Sequence, residues 1–117
     1  MIVGVTLNGS PVILLVVAGQ TWPGIIDTGF NSDLELPDRL RLQLHLRYQG
    51  QSLSILAGGQ RIVEDVYHVD FPFDGQTIIA EATFAPGNEI LIGTHLLQQY
   101  RLEIHWPNQT VELERVA

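Results

Sequence analysis

Ile25-Ile26-Asp27-Thr28-Gly29-Phe30-Asn31-Ser32-Asp33-Leu34-Glu35-Leu36-Pro37 is the stretch on which the reading of this chain turns. An apolar pair runs into an acid, a hydroxyl and a glycine, and apolar residues resume at Leu34 after a polar interval. Taken alone, an Asp before Thr-Gly at a strand end is an ordinary turn former that bonds its own backbone. Taken as chemistry, an acid of this kind is half of a pair. Two carboxyl groups held about 3 Å apart cannot both ionise, so they share one proton. The ionised one then takes a proton from water while the protonated one donates to a carbonyl oxygen. Asp-Thr-Gly occurs once in the chain, so the second half of such a pair would come from a second copy.

The bulk of the sequence narrows the field. A length of 117 residues suits one domain, taken as residues 1–117, with one core. Hydrophobic residues make up 45% and charged residues 16%, which is the balance of a chain that buries a core. Asp and Glu outnumber Lys and Arg by 13 to 6, for a net charge of −7. Phosphate binding leans on clustered Lys and Arg, and the nearest thing to a cluster is Arg39, Arg41 and Arg47. Nucleic acid is therefore not an expected partner, nor is a membrane. The apolar run Val12 to Ala18 falls well short of the roughly 20 residues a spanning helix needs. Cysteine is absent, which excludes disulfides and thiolate metal sites. His45, His68, His95 and His105 show no metal-ligand spacing, so no metal or cofactor is expected. The opening Met1-Ile2-Val3-Gly4 lacks a basic leader, and a cytoplasmic location is the expectation.

Most of the chain reads as short strands separated by turn residues. Val3 to Leu7 and Pro11 to Val17 flank Asn8-Gly9, a tight hairpin turn. Ser52 to Leu56 and Arg61 to Val66 flank Ala57-Gly58-Gly59-Gln60, and Tyr67 to Phe73 and Thr77 to Phe84 flank Asp74-Gly75. Two segments predict short helices. Pro37 opens one, with Leu36, Leu40 and Leu44 recurring at a spacing of four. Thr94 caps the other, His95 to Tyr100. Leu102, Ile104 and Trp106 alternate with polar residues in a half-buried strand, and Thr110 to Val116 closes the chain.

Three elements in order carry a resemblance: the Ile25-Ile26-Asp27-Thr28-Gly29 stretch, the glycine-tipped hairpin at Ala57-Gly58-Gly59, and Ile90-Leu91-Ile92-Gly93 with Leu96-Leu97 behind it. Their order and spacing resemble the retropepsin-like aspartic proteases, from about Val3 to Val116, and look closest to stand-alone prokaryotic members. The resemblance implies a mostly-β, closed, barrel-like fold with one or two short helices. It also implies a homodimer with one shared site, joined through the terminal strands, that hydrolyses peptide bonds with an activated water and no cofactor. Asp27 would meet its symmetry mate, and Thr28 would bond across the dimer axis beneath it. Gly29 would let the backbone pass close to substrate and offer its amide to the carboxylate. Ala57, Gly58 and Gly59 would tip a flap over an extended peptide. Leu34, Leu56 and Leu91 would shape side-chain pockets, with Phe30, Asn31 and Ser32 beside the dyad.

The chain also departs from that pattern. Phe30 stands where a small residue is usual in viral and pepsin-like relatives. Asn31 and Thr94 stand where retroviral enzymes carry an Asp and an Arg, so the ion pair of the viral dimers is missing. Two other readings stay open: a catalytically silent peptide-binding or dimerisation module on the same fold, and a structural β-domain whose Asp-Thr-Gly is only a turn.

Overall fold

Tight turns of left-handed backbone set the strand boundaries of this protein. The computed structural model describes residues 1–117. Strands β1 (Ile2–Leu7) and β2 (Ser10–Val17) meet at Asn8-Gly9, whose φ values are 51° and 83°. Two consecutive residues at positive φ give a turn whose twist matches that of the strands it joins. Ala18-Gly19 (51° and 77°) repeats this geometry between β2 and β3 (Gln20–Ile26). Asp74-Gly75 (53° and 76°) does so between β6 (Arg61–Phe73) and β7 (Gln76–Ala85). The remaining strands are β4 (Leu34–Pro37), β5 (Arg47–Ile55), β8 (Ile90–Ile92), β9 (Tyr100–His105) and β10 (Thr110–Arg115).

All ten strands join one sheet in the order β5-β6-β7-β4-β8-β3-β2-β1-β10-β9. The expected closed barrel is not formed. Closure would need β5 to pair with β9, yet each ends the sheet with a free edge, and β5 pairs only with β6. The long β5–β6 hairpin reaches outward instead, and most of β5 is exposed. Both terminal strands lie inside the sheet, although Ile2–Gly4 pair only with β10 and Glu114 and Arg115 only with β9. β1 is flanked by β2 and β10, and β10 by β1 and β9.

Alternation along the strands builds the core. Ile13, Leu15 and Val17 on β2, Val69, Phe71 and Phe73 on β6, and Val111 and Leu113 on β10 turn to one side. They join Trp22, Ile26, Leu34, Leu36, Ala80, Ala82, Ile90 and Ile92 in one cluster of 17 buried residues. Leu40 completes it from a 3-10 helix, Asp38–Gln43, the only helix present. The expected spacing Leu36, Leu40, Leu44 crosses three kinds of backbone, since Leu36 lies in β4 and Leu44 is extended. The second expected helix is a run of turns. Leu97 N–H bonds to Thr94 C=O (3.2 Å) and Tyr100 N–H to Leu97 C=O (2.9 Å), and β9 begins at Tyr100. The Thr94 hydroxyl caps nothing there; it donates to Phe30 C=O across the molecule (3.4 Å).

The three arginines do not gather into a basic patch. Arg39 stacks over Trp22, Arg41 over Phe84, and Arg47 pairs with Asp70 at 3.0 Å. No helix is long and apolar enough to cross a membrane.

Candidate active site

The stretch around Asp27 owes its shape to a strand inserted beneath it. β3 and β4 run antiparallel but are not neighbours. β8 lies between them, parallel to β3 (Ile25↔Leu91, Ile26↔Ile92) and antiparallel to β4 (Leu34↔Ile92, Glu35↔Leu91). The connection from Asp27 to Asp33 must therefore cross the end of β8, a span of two strand spacings of about 4.8 Å each.

The end of β8 holds that loop from below. Asp27 N–H donates to Ile92 C=O (2.9 Å) and Gly93 N–H to Asp33 C=O (2.9 Å). Thr94 N–H donates to Phe30 C=O (2.8 Å) and His95 N–H to Ser32 C=O (3.3 Å). So close an approach needs a residue without a side chain. A β-carbon on Gly93 would collide with the carbonyl oxygens of Ser32 and Phe30. The Ile90-Leu91-Ile92-Gly93 signature is thus a buried strand and the seat of the loop at once.

Within the loop, Gly29 N–H donates to Asp27 Oδ1 at 2.9 Å, and Phe30 N–H closes a turn onto Asp27 C=O at 3.1 Å. The carboxylate of Asp27 is oriented by the backbone of its own turn and faces a groove of about 710 Å³. Gly29, Phe30, Asn31, Ser32, Leu56 and Leu91 line the same groove. Other expected site residues lie elsewhere. Thr28 is exposed at the loop surface, and Ala57, Gly58 and Gly59 are exposed at the hairpin tip without lining the groove. Leu34 is fully buried in the core and can shape no pocket, because alternation along β4 turns it and Leu36 inward and leaves Glu35 facing the groove.

Several groove residues were not among the expected site residues. Ser52, Leu53, Ser54 and Ile55 form one wall as consecutive residues of the edge strand β5. Glu35, Glu64 and Glu81 add carboxylates, and His95 adds an imidazole. Burial holds the Glu35 carboxyl above the usual carboxylate range, and the neighbouring charges of Glu64 and Asp27 push it further in the same direction. The other acids of the β5–β6–β7 region are engaged singly, Asp65 by the Tyr48 hydroxyl, Asp70 by Arg47 and Asp74 by the Tyr100 hydroxyl.

One pair was missed entirely. Asp33, with a side chain only 8% exposed, sits 2.6 Å from His95 Nδ1 through Oδ1 and accepts Glu81 N–H (2.8 Å) through Oδ2. The hydrogen bond to Asp33 and then its charge hold the His95 imidazole above its usual range, and Glu81 adds to the effect. Nothing in the spacing of Asp33 and His95 announces the contact, which exists because β8 brings its following turn under the loop. No three His, Asp or Glu side chains converge to hold a metal ion.

Comparison with known proteins bears on the fold. No protein-family model matches the chain, and no curated protein matches it in sequence. Solved structures do. A retropepsin-like aspartic protease from Rickettsia conorii is similar with a TM-score of 0.65 at 18% identity, over 98% of this chain and 89% of that one. The protease of simian foamy virus (mac) is similar with a TM-score of 0.57 at 20% identity, over 74% of this chain and 91% of that one. A foamy viral protease-reverse transcriptase, solved in complex with an RNA/DNA hybrid, gives a TM-score of 0.60 at 21% identity over 79% of this chain. This chain spans only 12% of that larger protein. The protein has a retropepsin-like fold.

Proposed function

We propose that this protein is an aspartic endopeptidase whose site is completed by a second copy of the chain, each copy supplying one Asp27. The observation that carries the reading is the placement of Asp27. Its carboxylate is held by the Gly29 amide at the floor of a groove, in a fold similar to that of proteases. In the reaction the two Asp27 carboxyls share a proton. The ionised one accepts a proton from water, the oxygen of that water attacks the scissile carbonyl carbon, and the protonated one donates to the carbonyl oxygen. Collapse of the tetrahedral species breaks the C–N bond and returns a proton to the leaving amine.

The groove suits an extended peptide. Residues 52–55 belong to an edge strand whose outer backbone groups are unpaired, so a peptide laid there gains main-chain hydrogen bonds like an added strand. The Ala57-Gly58-Gly59 tip, on the hairpin that carries this wall, is the segment that would close over it. Two features support a second copy. Each chain carries one Asp-Thr-Gly loop, and Val3, Val5 and Leu7 on β1 with Leu14 and Val16 on β2 are exposed apolar side chains of the kind an interface covers. Such a contact would use these strand faces, the β9 edge or the singly paired ends of β1 and β10.

A second reading keeps the fold and the groove without turnover. Phe30, bulky and beside Asp27 in the groove, favours it. Incubating a diverse peptide library with wild type and Asp27→Asn from acid to neutral pH separates the two. Cleavage lost in the variant alone supports the peptidase, whereas peptides that bind and survive support the silent module.

A further inference from the structure

Asp33 closes the loop that Asp27 opens, and its carboxylate is the most buried charge near the site. A carboxylate withdrawn from water stays ionised only where donors replace the lost solvent. Two donors do so here, the Glu81 amide on β7 and the His95 ring on the turn after β8. His95 itself remains open to the groove, its side chain 59% exposed, so its proton exchanges with solvent while its Nδ1 grips a buried partner. The same turn also carries the amides that hold Phe30 and Ser32. The contact with Asp33 therefore ties the far end of the loop to the element that seats its middle.

We propose that His95 is a positioning residue for Asp27: as imidazolium it clamps Asp33, and through the backbone from Phe30 to Asp33 it fixes the Asp27-Thr28-Gly29 turn, and as neutral imidazole it releases part of that hold. The consequence for catalysis rests on the peptidase reading of Asp27, whereas the clamp stands on the geometry of Asp33, Glu81 and His95. A charged donor makes a shorter and stronger bond to a carboxylate than a neutral one. The neutral ring, with a single proton, keeps at best an uncharged bond at Nδ1.

The surroundings of His95 set the sign of its pH dependence. Asp33 and Glu81 face it and favour the charged ring, and Asp27, Glu35 and Glu64 line the same groove. Arg115 on β10 is the one opposing charge nearby, and its guanidinium is engaged by Gln99 Oε1 (3.0 Å) and the Ala117 carbonyl (3.1 Å). The folded ring thus holds its proton to higher pH than a free one. The clamp is complete below the ordinary histidine value of 6.5 and is lost as pH rises through the raised folded value.

The test is an NMR titration of the full chain between about pH 5 and 9, where histidines change charge. It compares wild type, His95→Asn and Asp33→Asn. Asn places an amide donor at the position of Nδ1 but cannot carry charge. In wild type the amides of Gly29, Phe30 and Ser32 should shift together with the His95 ring, at a midpoint above that of a free histidine. His95→Asn should abolish the shift in those amides, and Asp33→Asn should return the ring to the ordinary range. Loop amides that ignore the ring, or that titrate unchanged in His95→Asn, would overturn the proposal. Peptide cleavage provides the independent arm. If the loop follows His95 but no peptide is cut, the peptidase reading fails and the clamp stands. If cutting depends on Asp27 yet the alkaline limb of kcat/KM is the same in His95→Asn, the positioning role fails and the peptidase reading stands.

Discussion

The α-carbon of Gly93 lies so close beneath the carbonyl oxygen of Ser32 that no side chain can be built on it without moving one of the two backbones. This contact couples the β3–β4 loop, which carries Asp27, to the strand inserted beneath it. The loop is held by four backbone hydrogen bonds from Asp27, Gly93, Thr94 and His95. Its shape is a property of two distant stretches of chain acting together.

Replacing Gly93 by Ala should therefore be costly although it adds one methyl group. The collision is with backbone oxygens, which cannot swing aside as a flexible side chain can. Overpacking of this kind costs about 1–3 kcal/mol. Urea unfolding should show that loss, and the amides of residues 30–33 should shift. Gly58→Ala is the control, since a β-carbon there meets nothing, and it should fall within about 0.5 kcal/mol of wild type.

Leu40 and Leu42 make a second contrast within one 3-10 helix. Leu40 is fully buried in the core and Leu42 is 98% exposed. Leu40→Ala should cost about 2–5 kcal/mol in denaturant unfolding. Leu42→Ala should be close to neutral. Equal effects would contradict the placement of this segment.

Glu35 carries a pH prediction. Its carboxyl is held above the usual range by burial and then by Glu64 and Asp27, so the folded state binds its proton more tightly than the unfolded chain does. Stability from this group is fully present below the ordinary carboxylate value of 4.5 and falls as pH rises through the raised folded value. Glu35→Gln, which cannot ionise, should thus stabilise the protein at neutral pH and have little effect in acid. Solvent screening at this half-exposed site keeps the gain below about 1 kcal/mol. Thermal unfolding of both proteins against pH measures it, and destabilisation at neutral pH would contradict this account.

Much of the architecture was legible in residue pattern because the turns are local. Asn8-Gly9 and Asp74-Gly75 advertise left-handed turns, and the alternation of Leu102 and Ile104 marks β9. Ala18-Gly19 forms the same kind of turn without the Asn or Asp that would signal it, so the start of β3 gave no sign. The closed barrel failed for a non-local reason, since whether β5 reaches β9 is not written in either strand. The short helix at His95 is replaced by turns, since the Leu97, Gln98 and Tyr100 amides each bond three residues back before β9 begins, while the Thr94 and His95 amides bond to the loop. The same logic governs the site. Asp27 and Gly29 were visible as a motif, whereas Glu35, Glu81 and His95 enter the groove only through the pairing of β4, β7 and β8.

A site that draws an Asp27 from each of two chains is tested most directly by mixing. Wild type is unfolded together with Asp27→Asn in equal amounts, refolded, and assayed on a peptide that wild type cleaves. If the site is shared across a twofold interface, random pairing leaves about half of the wild-type chains in mixed dimers, and activity per wild-type chain falls to about half. A threefold excess of the variant should lower it to about a quarter. Activity per wild-type chain that does not change with added variant would mean that a single chain carries a complete site, and would contradict the shared dyad.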